Sequence, residues 1–214
     1  MRIVSIEKAH RGGKFKVCFE EEGELLLSKE VIVDFGLRRN DEISSERMQQ
    51  IQDAQSYQDT YIAAMRLLNY QMRTTAELRQ RLHMKEFPPG AINRVLDKLT
   101  NLGLVDDVRF AEAFIASKVA SKPIGKRELE RKLREKGVSK ETASQALSDV
   151  SNDETQIEFA LQAAEIKIRS LKRYELKKRR EKLVAFLARR GFDWDVIRKV
   201  VRKMFDGDYD AVDI

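Results

Sequence analysis

The feature that most constrains the fold of this chain is an apolar pattern that occurs three times, displaced by 51 and then by 54 residues. In every copy the apolar residues are separated by steps of 4, 5, 5, 4 and 3 residues. The copies are Leu78, Leu82, Phe87, Ile92, Leu96, Leu99; Leu129, Leu133, Val138, Ala143, Leu147, Val150; and Leu183, Leu187, Phe192, Ile197, Val201, Met204. A fixed period of about this length is typical of stacked supersecondary units. Such an array offers an extended surface rather than an enclosed reaction pocket.

Each copy of the pattern predicts three helices. Their expected ranges are 58–70, 74–85 and 88–102, then 107–120, 125–136 and 139–150, then 153–172, 174–190 and 193–205. Short connections force consecutive helices to pack against one another. The repeated apolar residues should therefore form the core of each unit, and we assign none of them a ligand role.

The ends of the predicted helices carry recognisable signals. Thr74 and Glu77 have the spacing of a capping box at the start of a helix. Gly103 is expected to end a helix in the left-handed conformation, and Asp106 or Asp107 to cap the next one. Gly137 and Gly191 repeat this stop signal, whereas the first copy has Glu86-Phe87-Pro88-Pro89 instead. We therefore expect the first turn to be built differently.

The first 57 residues differ in pattern from the rest. Ile3, Val4 and Ile6 begin a strand, and residues 14–19 alternate polar and apolar side chains. Turns are expected at residues 12–13 and 21–23, with a third strand over 24–27. Ser28 could cap a short helix that Gly36 ends. This predicts a small β-rich module, followed at residues 44–57 by a polar helix or linker.

The fold class that follows is mainly α, with three tandem three-helix repeats in a curved array after a small β-rich N-terminal module. The predicted divisions are 1–57 for the N-terminal extension and linker, 58–105 for repeat 1, 106–150 for repeat 2, 151–205 for repeat 3, and 206–214 for an acidic tail. No apolar run is long enough to span a membrane, and the N-terminus lacks a signal-peptide pattern. The single Cys18 cannot form an internal disulfide, so we expect a cytoplasmic protein.

Residues that could perform catalysis are few. The two histidines, His10 and His83, lie in different modules and lack metal-ligand spacing. No phosphate-binding glycine loop occurs. Asp106 and Asp107 could be imagined as a metal pair, but acids at a helix start are explained by the helix dipole, and Cys18 fits a small core residue. We predict no enzymatic activity, no cofactor and no metal site.

Basic residues are concentrated late in the chain, because residues 151–205 carry a net charge of +7 and residues 206–214 a net charge of −4. Helical spacing places Arg127, Arg131 and Arg134 on one face of the middle helix of repeat 2, and Lys178, Lys182 and Arg189 on one face of the middle helix of repeat 3. These six cations are the candidate partner or nucleic-acid contacts. The alternative is a solvated helix surface. The equivalent face of repeat 1 is weaker, with Arg73 and Gln80.

The densest basic run is Lys177-Lys178-Arg179-Arg180 at a predicted helix start. Cations there oppose the helix dipole, which slightly favours an external anionic partner over a solvated helix start. Little aromatic interleaving accompanies the run apart from Tyr174, so base stacking is not strongly predicted. The acidic tail is either a solubilising end or an internal competitor for the basic face.

Residues 102–111 read Leu-Gly-Leu-Val-Asp-Asp-Val-Arg-Phe-Ala. This segment is the most specific in the chain, and it is similar to the junction between the first and second units of the RecX family of recombinase regulators. Residues 75–78 with Leu82, 92–99, and 124–129 with Leu133 and Gly137 also resemble family motifs. The resemblance covers residues 58–205, although the third unit is recognised mostly by its register.

This resemblance implies a non-enzymatic modulator of the RecA recombinase. Members lie in the groove of the RecA–DNA filament, limit its growth, and damp ATP hydrolysis and strand exchange. The implied partner is the RecA filament, with weaker binding to single- or double-stranded DNA, and the chain is expected to be a monomer. The alternative is a direct DNA-binding protein of the transcription-regulator type, although acids at the start of two third helices disfavour it. A nuclease is disfavoured by the lack of a clustered acid and histidine constellation.

Overall fold

The computed structural model describes residues 1–9, 13–20 and 23–205. Its elements are β1 (Ile3–Lys8), β2 (Phe15–Phe19), β3 (Gly23–Leu27), α1 (Lys29–Asp34), α2 (Ser45–Tyr70), α3 (Thr75–His83), α4 (Pro89–Asn101), α5 (Asp107–Ser121), α6 (Lys126–Glu135), α7 (Lys140–Ala146), a 3₁₀ turn (Ser148–Val150), α8 (Asp153–Leu171), α9 (Leu176–Arg189) and α10 (Trp194–Phe205). The mainly α fold with a small N-terminal sheet is thereby confirmed. The turn residues 12, 21 and 22, His10 and the acidic tail lie outside the described residues.

The described chain forms two compact bodies. The first contains Met1–Met72 and Leu78–Val105, and the second contains Arg73–Glu77 with the described residues from Asp106 onward. Within the described residues every helix is too short or too polar to traverse a lipid bilayer.

The N-terminal module is an antiparallel sheet in the order β1-β2-β3. The Ser28 hydroxyl accepts from the Val31 N–H and begins α1, and Gly36 follows the helix with a φ of 60°. Both features agree with the sequence prediction. The sheet is covered by helices, since Val17 and Val31 share a buried cluster with Ile51 of α2.

Helix α2 differs from the sequence prediction. Residues 44–57 were expected to be a separate polar helix or linker, yet they continue without a break into the first helix of repeat 1. The Ser44 hydroxyl caps the helix by accepting from the Arg47 N–H. One helix serves two cores, because Ile51 packs in the N-terminal module and Ala64 packs in repeat 1. Each core needs few apolar residues from α2, which is why its sequence pattern is weak.

The three repeated patterns form three core clusters, and Val119 and Val150 pack against both the second and the third. Leu78, Leu82, Leu129, Leu133, Leu183 and Leu187 are fully buried. They lie in clusters that belong to repeat 1, repeat 2 and repeat 3 respectively. The last position of the pattern is only partly buried in repeats 2 and 3, as Val150 and Met204. The steps of 4, 5, 5, 4 and 3 residues therefore mark inward positions on the second and third helices and in the turn between them. The predicted helix 139–150 is shorter in the structure, because α7 ends at Ala146 and Val150 lies in the 3₁₀ turn that follows.

The turn after the second helix has the same geometry in all three repeats, which corrects the expectation for Glu86. Glu86 has a φ of 63°, against 77° at Gly137 and 80° at Gly191. The Glu86 N–H donates to the His83 carbonyl, and the next N–H donates back to the Leu82 carbonyl. The glycine turns repeat both hydrogen bonds at equivalent positions. Glu86 therefore adopts the left-handed backbone conformation, which is unfavourable for residues other than glycine.

The two adjacent acids after Gly103 have different tasks. Asp106 caps α5, since its Oδ1 accepts from the Val108 N–H at 2.9 Å and the Arg109 N–H at 3.0 Å. Asp107 Oδ1 instead accepts from the Thr75 N–H at 2.8 Å, at the start of α3. The capping box at α3 is half formed, because Thr74 Oγ1 accepts from the Glu77 N–H at 3.0 Å while the Glu77 carboxylate pairs with Lys136.

A packing contact recurs inside the second body. The start of α3 lies against the turn after α6, where Thr74 Oγ1 donates to the Lys136 carbonyl at 2.6 Å. The start of α6 lies in the same way against the turn after α9, where the Gly125 N–H donates to the Arg190 carbonyl at 2.8 Å. Positions 74 and 125, and positions 136 and 190, are equivalent in the repeats. The same contact thus occurs twice: the second helix of one repeat begins against the glycine turn that follows the second helix of the next repeat.

Candidate functional site

The three candidate cations of α6 differ in how strongly they are neutralised. Arg127, Arg131 and Arg134 are exposed, on the side of α6 opposite the buried Leu129 and Leu133. Arg127 Nε lies 2.5 Å from Asp193 Oδ1. Arg131 bonds to two carboxylates, those of Glu128 at 2.7 Å and of Glu135. Arg134 has no ion-pair partner among the described residues.

The Arg131 network is strong enough to affect ionisation. The hydrogen bond from Arg131 lowers the pKa of the Glu128 carboxyl, although partial burial opposes this, and Lys132 adds to the lowering. The same bond raises the pKa of Arg131 further above its already high value. The carboxylate of Glu128 is therefore charged wherever the protein is folded near neutral pH, and it holds Arg131 along the helix surface.

The candidate cations of α9 lie in a different environment. Lys182 and Arg189 line one open cavity of about 450 Å³ between α8 and α9. Lys167 of α8, together with Arg173 from the α8–α9 connection, lines the same cavity. Glu181 is the one acid in that lining, and none of these four cations has a carboxylate partner among the described residues. Lys167 and Arg173 do not follow from the spacing within α9, because they belong to α8 and to the α8–α9 connection.

A tyrosine holds several of these cations in place. Measured to the centroid of the Tyr174 ring, the distances are 5.0 Å from Arg173, 4.6 Å from Lys182 and 6.0 Å from Lys178. A cation over the face of an aromatic ring is attracted by the ring quadrupole. This attraction orients the cation without neutralising it. The ammonium groups of Lys178 and Lys182, which have no hydrogen-bond partner among the described residues, keep their donors for a ligand.

The pKa of the Tyr174 hydroxyl is lowered by the same cations. Arg173 donates a hydrogen bond to the Tyr174 hydroxyl at 3.1 Å. This bond and the charge of Arg173 lower the pKa of Tyr174, and Lys182 and Lys178 contribute in the same direction. Each of these cations favours a negative charge at this point of the surface.

One residue of the basic run at the start of α9, Arg179, stabilises the fold. Arg179 donates to the backbone carbonyls of Tyr174 at 3.1 Å and Lys172 at 3.0 Å, near the end of α8. A cation is favourable at that end of a helix dipole. Arg179 is therefore accounted for within the fold, whereas Lys177 and Lys178 are exposed.

The expected face of repeat 1 is corrected by the structure. Arg73 is only 5% exposed and precedes α3, so it does not belong to an outward basic face, while Gln80 is exposed. Burial of Arg73 depends on contacts made by the folded chain, which helical spacing does not reveal. In repeat 1 the exposed cations over aromatic rings are Arg94 and Lys98 of α4.

The candidate surface is suited to binding an anion. Four cations, Lys167, Arg173, Lys182 and Arg189, border the cavity between α8 and α9, together with the ring of Tyr174. Within the described residues no group of three or more His, Cys, Asp or Glu side chains is placed to hold a metal ion.

The three repeats correspond to the domains of a known protein family. The first, second and third three-helix domains of RecX match residues 61–99, 106–147 and 154–201. The chain belongs to the RecX family. The three RecX domains coincide with the three repeats, including the third, which the sequence motifs marked least clearly.

Similar proteins extend the family match along the chain. The regulatory protein RecX of Clostridioides difficile (strain 630) is 28% identical over 213 residues, covering 99% of each chain. That of Chlorobium phaeobacteroides (strain BS1) is 38% identical, covering 66% of this chain and 91% of that protein. A crystal structure of a regulatory protein RecX has a TM-score of 0.77 at 23% identity, covering 93% of this chain and 98% of that one. That likeness shows the fold alone.

Proposed function

We propose that this RecX family protein is a non-enzymatic regulator that binds the RecA–DNA filament and limits filament growth, ATP hydrolysis and strand exchange. The observation that carries the proposal is the match of all three RecX three-helix domains, in order, along the repeats. The similar proteins named above are regulatory proteins. We expect the protein to act in the cytoplasm as a monomer.

The basic surface of repeat 3 supports a nucleoprotein partner. DNA is a dense polyanion, and cations that contact phosphates release counterions and so contribute a salt-dependent part of the affinity. Lys178, Lys182 and Arg189 have no carboxylate partners within the described residues, whereas Arg127 and Arg131 do. We therefore rank the three α9 cations above Arg127 and Arg131 as partner contacts.

The direct test is RecA-dependent ATP hydrolysis on single-stranded DNA, titrated with this protein. We expect hydrolysis to fall at substoichiometric ratios, while the protein alone hydrolyses nothing. Unchanged hydrolysis across the whole titration, with RecA from a matched source, would contradict the proposal. Equal binding to bare DNA and to filaments without any change in hydrolysis would favour the direct DNA-binding alternative.

A matched pair of variants tests the ranking of the cations. Lys182→Gln with Arg189→Gln removes two unpaired charges, and Arg127→Gln with Arg131→Gln removes two paired ones. We expect the first variant to weaken filament binding about tenfold at low salt, because two phosphate contacts are lost, and the salt slope to fall by roughly 0.7 to 0.9 for each contact. The second should have a smaller effect, and the reverse order would show that the α6 face makes the contact.

A further inference from the structure

Repeat 1 carries a second cluster in which cations lie over tyrosine rings. Arg94 lies 4.8 Å from the centroid of the Tyr57 ring, and Lys98 lies 5.8 Å from Tyr57 and 5.1 Å from Tyr61. The two rings are stacked at an interplanar angle of 22° with centroids 6.5 Å apart. Four side chains from α2 and α4 thus form one surface. Tyr57, Arg94 and Lys98 border an open cavity of about 430 Å³.

The helices determine this arrangement. Val95 and Leu99 of α4 are buried in the core of repeat 1, and Arg94 and Lys98 emerge next to them on the exposed side. Residues four apart on a helix are neighbours on its surface. Tyr57 and Tyr61 are four apart on α2 and are partly buried against the same core. The two cations therefore face the two tyrosines. All four residues lie on helices, so no flexible loop positions them.

The donors of these two cations are available to a ligand. Neither Arg94 nor Lys98 has a hydrogen-bond or ion-pair partner in the described part of the chain. Other cations of the same body do have polar partners: Lys14 pairs with Asp59 at 2.7 Å, and Arg79 bonds to Asn93. Asp97 borders the same cavity, so the site has two cations and one carboxylate.

We propose that the Tyr57–Tyr61–Arg94–Lys98 cluster is a nucleotide-binding contact for single-stranded DNA, separate from the surface on repeat 3. An arginine held by a tyrosine ring without a hydrogen-bond partner keeps its N–H donors for a phosphate, and a guanidinium plane can also stack on a base. Lys98 adds a second donor to the sugar–phosphate backbone. An acidic peptide would use the charges but would have no base to stack on the guanidinium plane, so the arginine beside two tyrosine rings favours a nucleic acid. Non-specific affinity of this kind is modest and salt-dependent.

The test measures binding of the full chain to fluorescein-labelled oligothymidylate by fluorescence anisotropy, without RecA, over a series of salt concentrations. The variant is Arg94→Gln with Lys98→Gln. Arg81→Gln with Lys85→Gln is the matched control, because it removes two exposed cations of the same body that lie over no aromatic ring. Without RecA in the assay, failure of this proposal is distinguishable from failure of the proposed regulatory function.

We expect the Arg94/Lys98 variant to bind three- to tenfold more weakly at low salt and its salt slope to fall by about 1.4, which corresponds to two phosphate contacts on a single strand. Tyr57→Leu should weaken binding as well, because it removes the ring that orients Arg94. The control variant should bind like the unmodified chain. Circular dichroism checks that each variant is folded.

Three outcomes would overturn the proposal. The first is unchanged binding by a folded Arg94/Lys98 variant. The second is an equal loss of affinity in the control variant, which would show that only overall charge matters. The third is weaker binding to RecA-coated DNA with unchanged binding to bare DNA, which would make the cluster a protein contact.

Discussion

At the scale of single residues, the neighbours of a cation determine its function more than its place in a helical pattern. Arg131 and Lys182 both lie opposite apolar stripes, and helical spacing alone does not distinguish them. In the structure Arg131 bonds to two carboxylates, whereas Lys182 lies over the Tyr174 ring. The acids that neutralise Arg131 are themselves on α6, at positions 128 and 135. Pairs three and four apart could therefore have been read from the sequence.

The left-handed conformation of Glu86 leads to a stability prediction. Replacing Glu86 by glycine should stabilise the protein by about 0.5–1 kcal/mol, because the steric cost of a left-handed L-residue is roughly 1–2 kcal/mol and glycine loses part of that gain through its greater freedom when unfolded. The glycine would restore the residue type found in the two equivalent turns. Chemical denaturation followed by circular dichroism measures the change.

Glu86→Ala is the matched control for this prediction. Alanine removes the carboxylate but keeps the Cβ atom, so the stability should stay within about 0.5 kcal/mol of the unmodified chain. If alanine stabilised the protein as much as glycine, the charge of Glu86 and not its backbone conformation would be the cause. A loss of stability in Glu86→Gly would contradict the conformational argument directly.

At the scale of elements, the contact between a helix start and a glycine turn leaves no space for a side chain. A Cβ atom on Gly125 would lie 2.3 Å from the carbonyl carbon and oxygen of Gly191. The φ of Gly125 is −76°, which any residue adopts. Gly125→Ala should therefore destabilise the second body by about 2–3 kcal/mol through overpacking alone. Urea denaturation followed by the fluorescence of Trp194, the single tryptophan, measures this loss.

Gly90→Ala provides the comparison for this substitution. Gly90 lies in the first turn of α4, and a Cβ atom there would meet no atom within 4 Å. The same chemical change should stabilise the protein by about 0.4–1 kcal/mol, because alanine has less freedom in the unfolded chain. If Gly125→Ala were as well tolerated as Gly90→Ala, the start of α6 would not be fixed on the turn after α9.

Periodicity was sufficient to predict the cores because burial in these repeats recurs with fixed steps along each helix. The predicted range 193–205 differs from α10, Trp194–Phe205, by one residue. Features that depend on distant contacts were not predictable in this way. The burial of Arg73, the continuity of α2 and the grouping of Lys167 with Lys182 all require knowledge of what packs against each element.

At the scale of the whole molecule, the net charge of a repeat does not show how many of its cations lack a carboxylate partner among the described residues. Repeat 3 has the largest net charge, +7. It also contains the cations around Tyr174 that lack carboxylate partners in the described part of the chain. Repeat 1 has fewer charges, yet Arg94 and Lys98 are equally unpaired within the described residues. A count of charges therefore identifies the first of these surfaces and misses the second.

The acidic residues that follow α10 give the last prediction. Residues 206–214 contain four aspartates and no basic residue, and they directly follow the most basic repeat. Covalent attachment gives such a segment an effective concentration of about a millimolar near that repeat. If the segment competes with an anionic partner, deletion of residues 206–214 should tighten binding to single-stranded DNA several-fold at low ionic strength. Near about 0.15 M salt the gain should be much smaller, because exposed charges are screened.

Charge and chain length are separated by a second variant. Asp206→Asn, combined with the same change at Asp208, Asp210 and Asp213, keeps all nine residues and removes the four negative charges. If the segment competes through its charge, this variant should bind DNA as tightly as the truncated chain. Without its four negative charges the segment would no longer attract the cations. If truncation tightens binding and the asparagine variant does not, the segment acts by its bulk. Equal affinities for all three proteins at low ionic strength would leave solubility as its role.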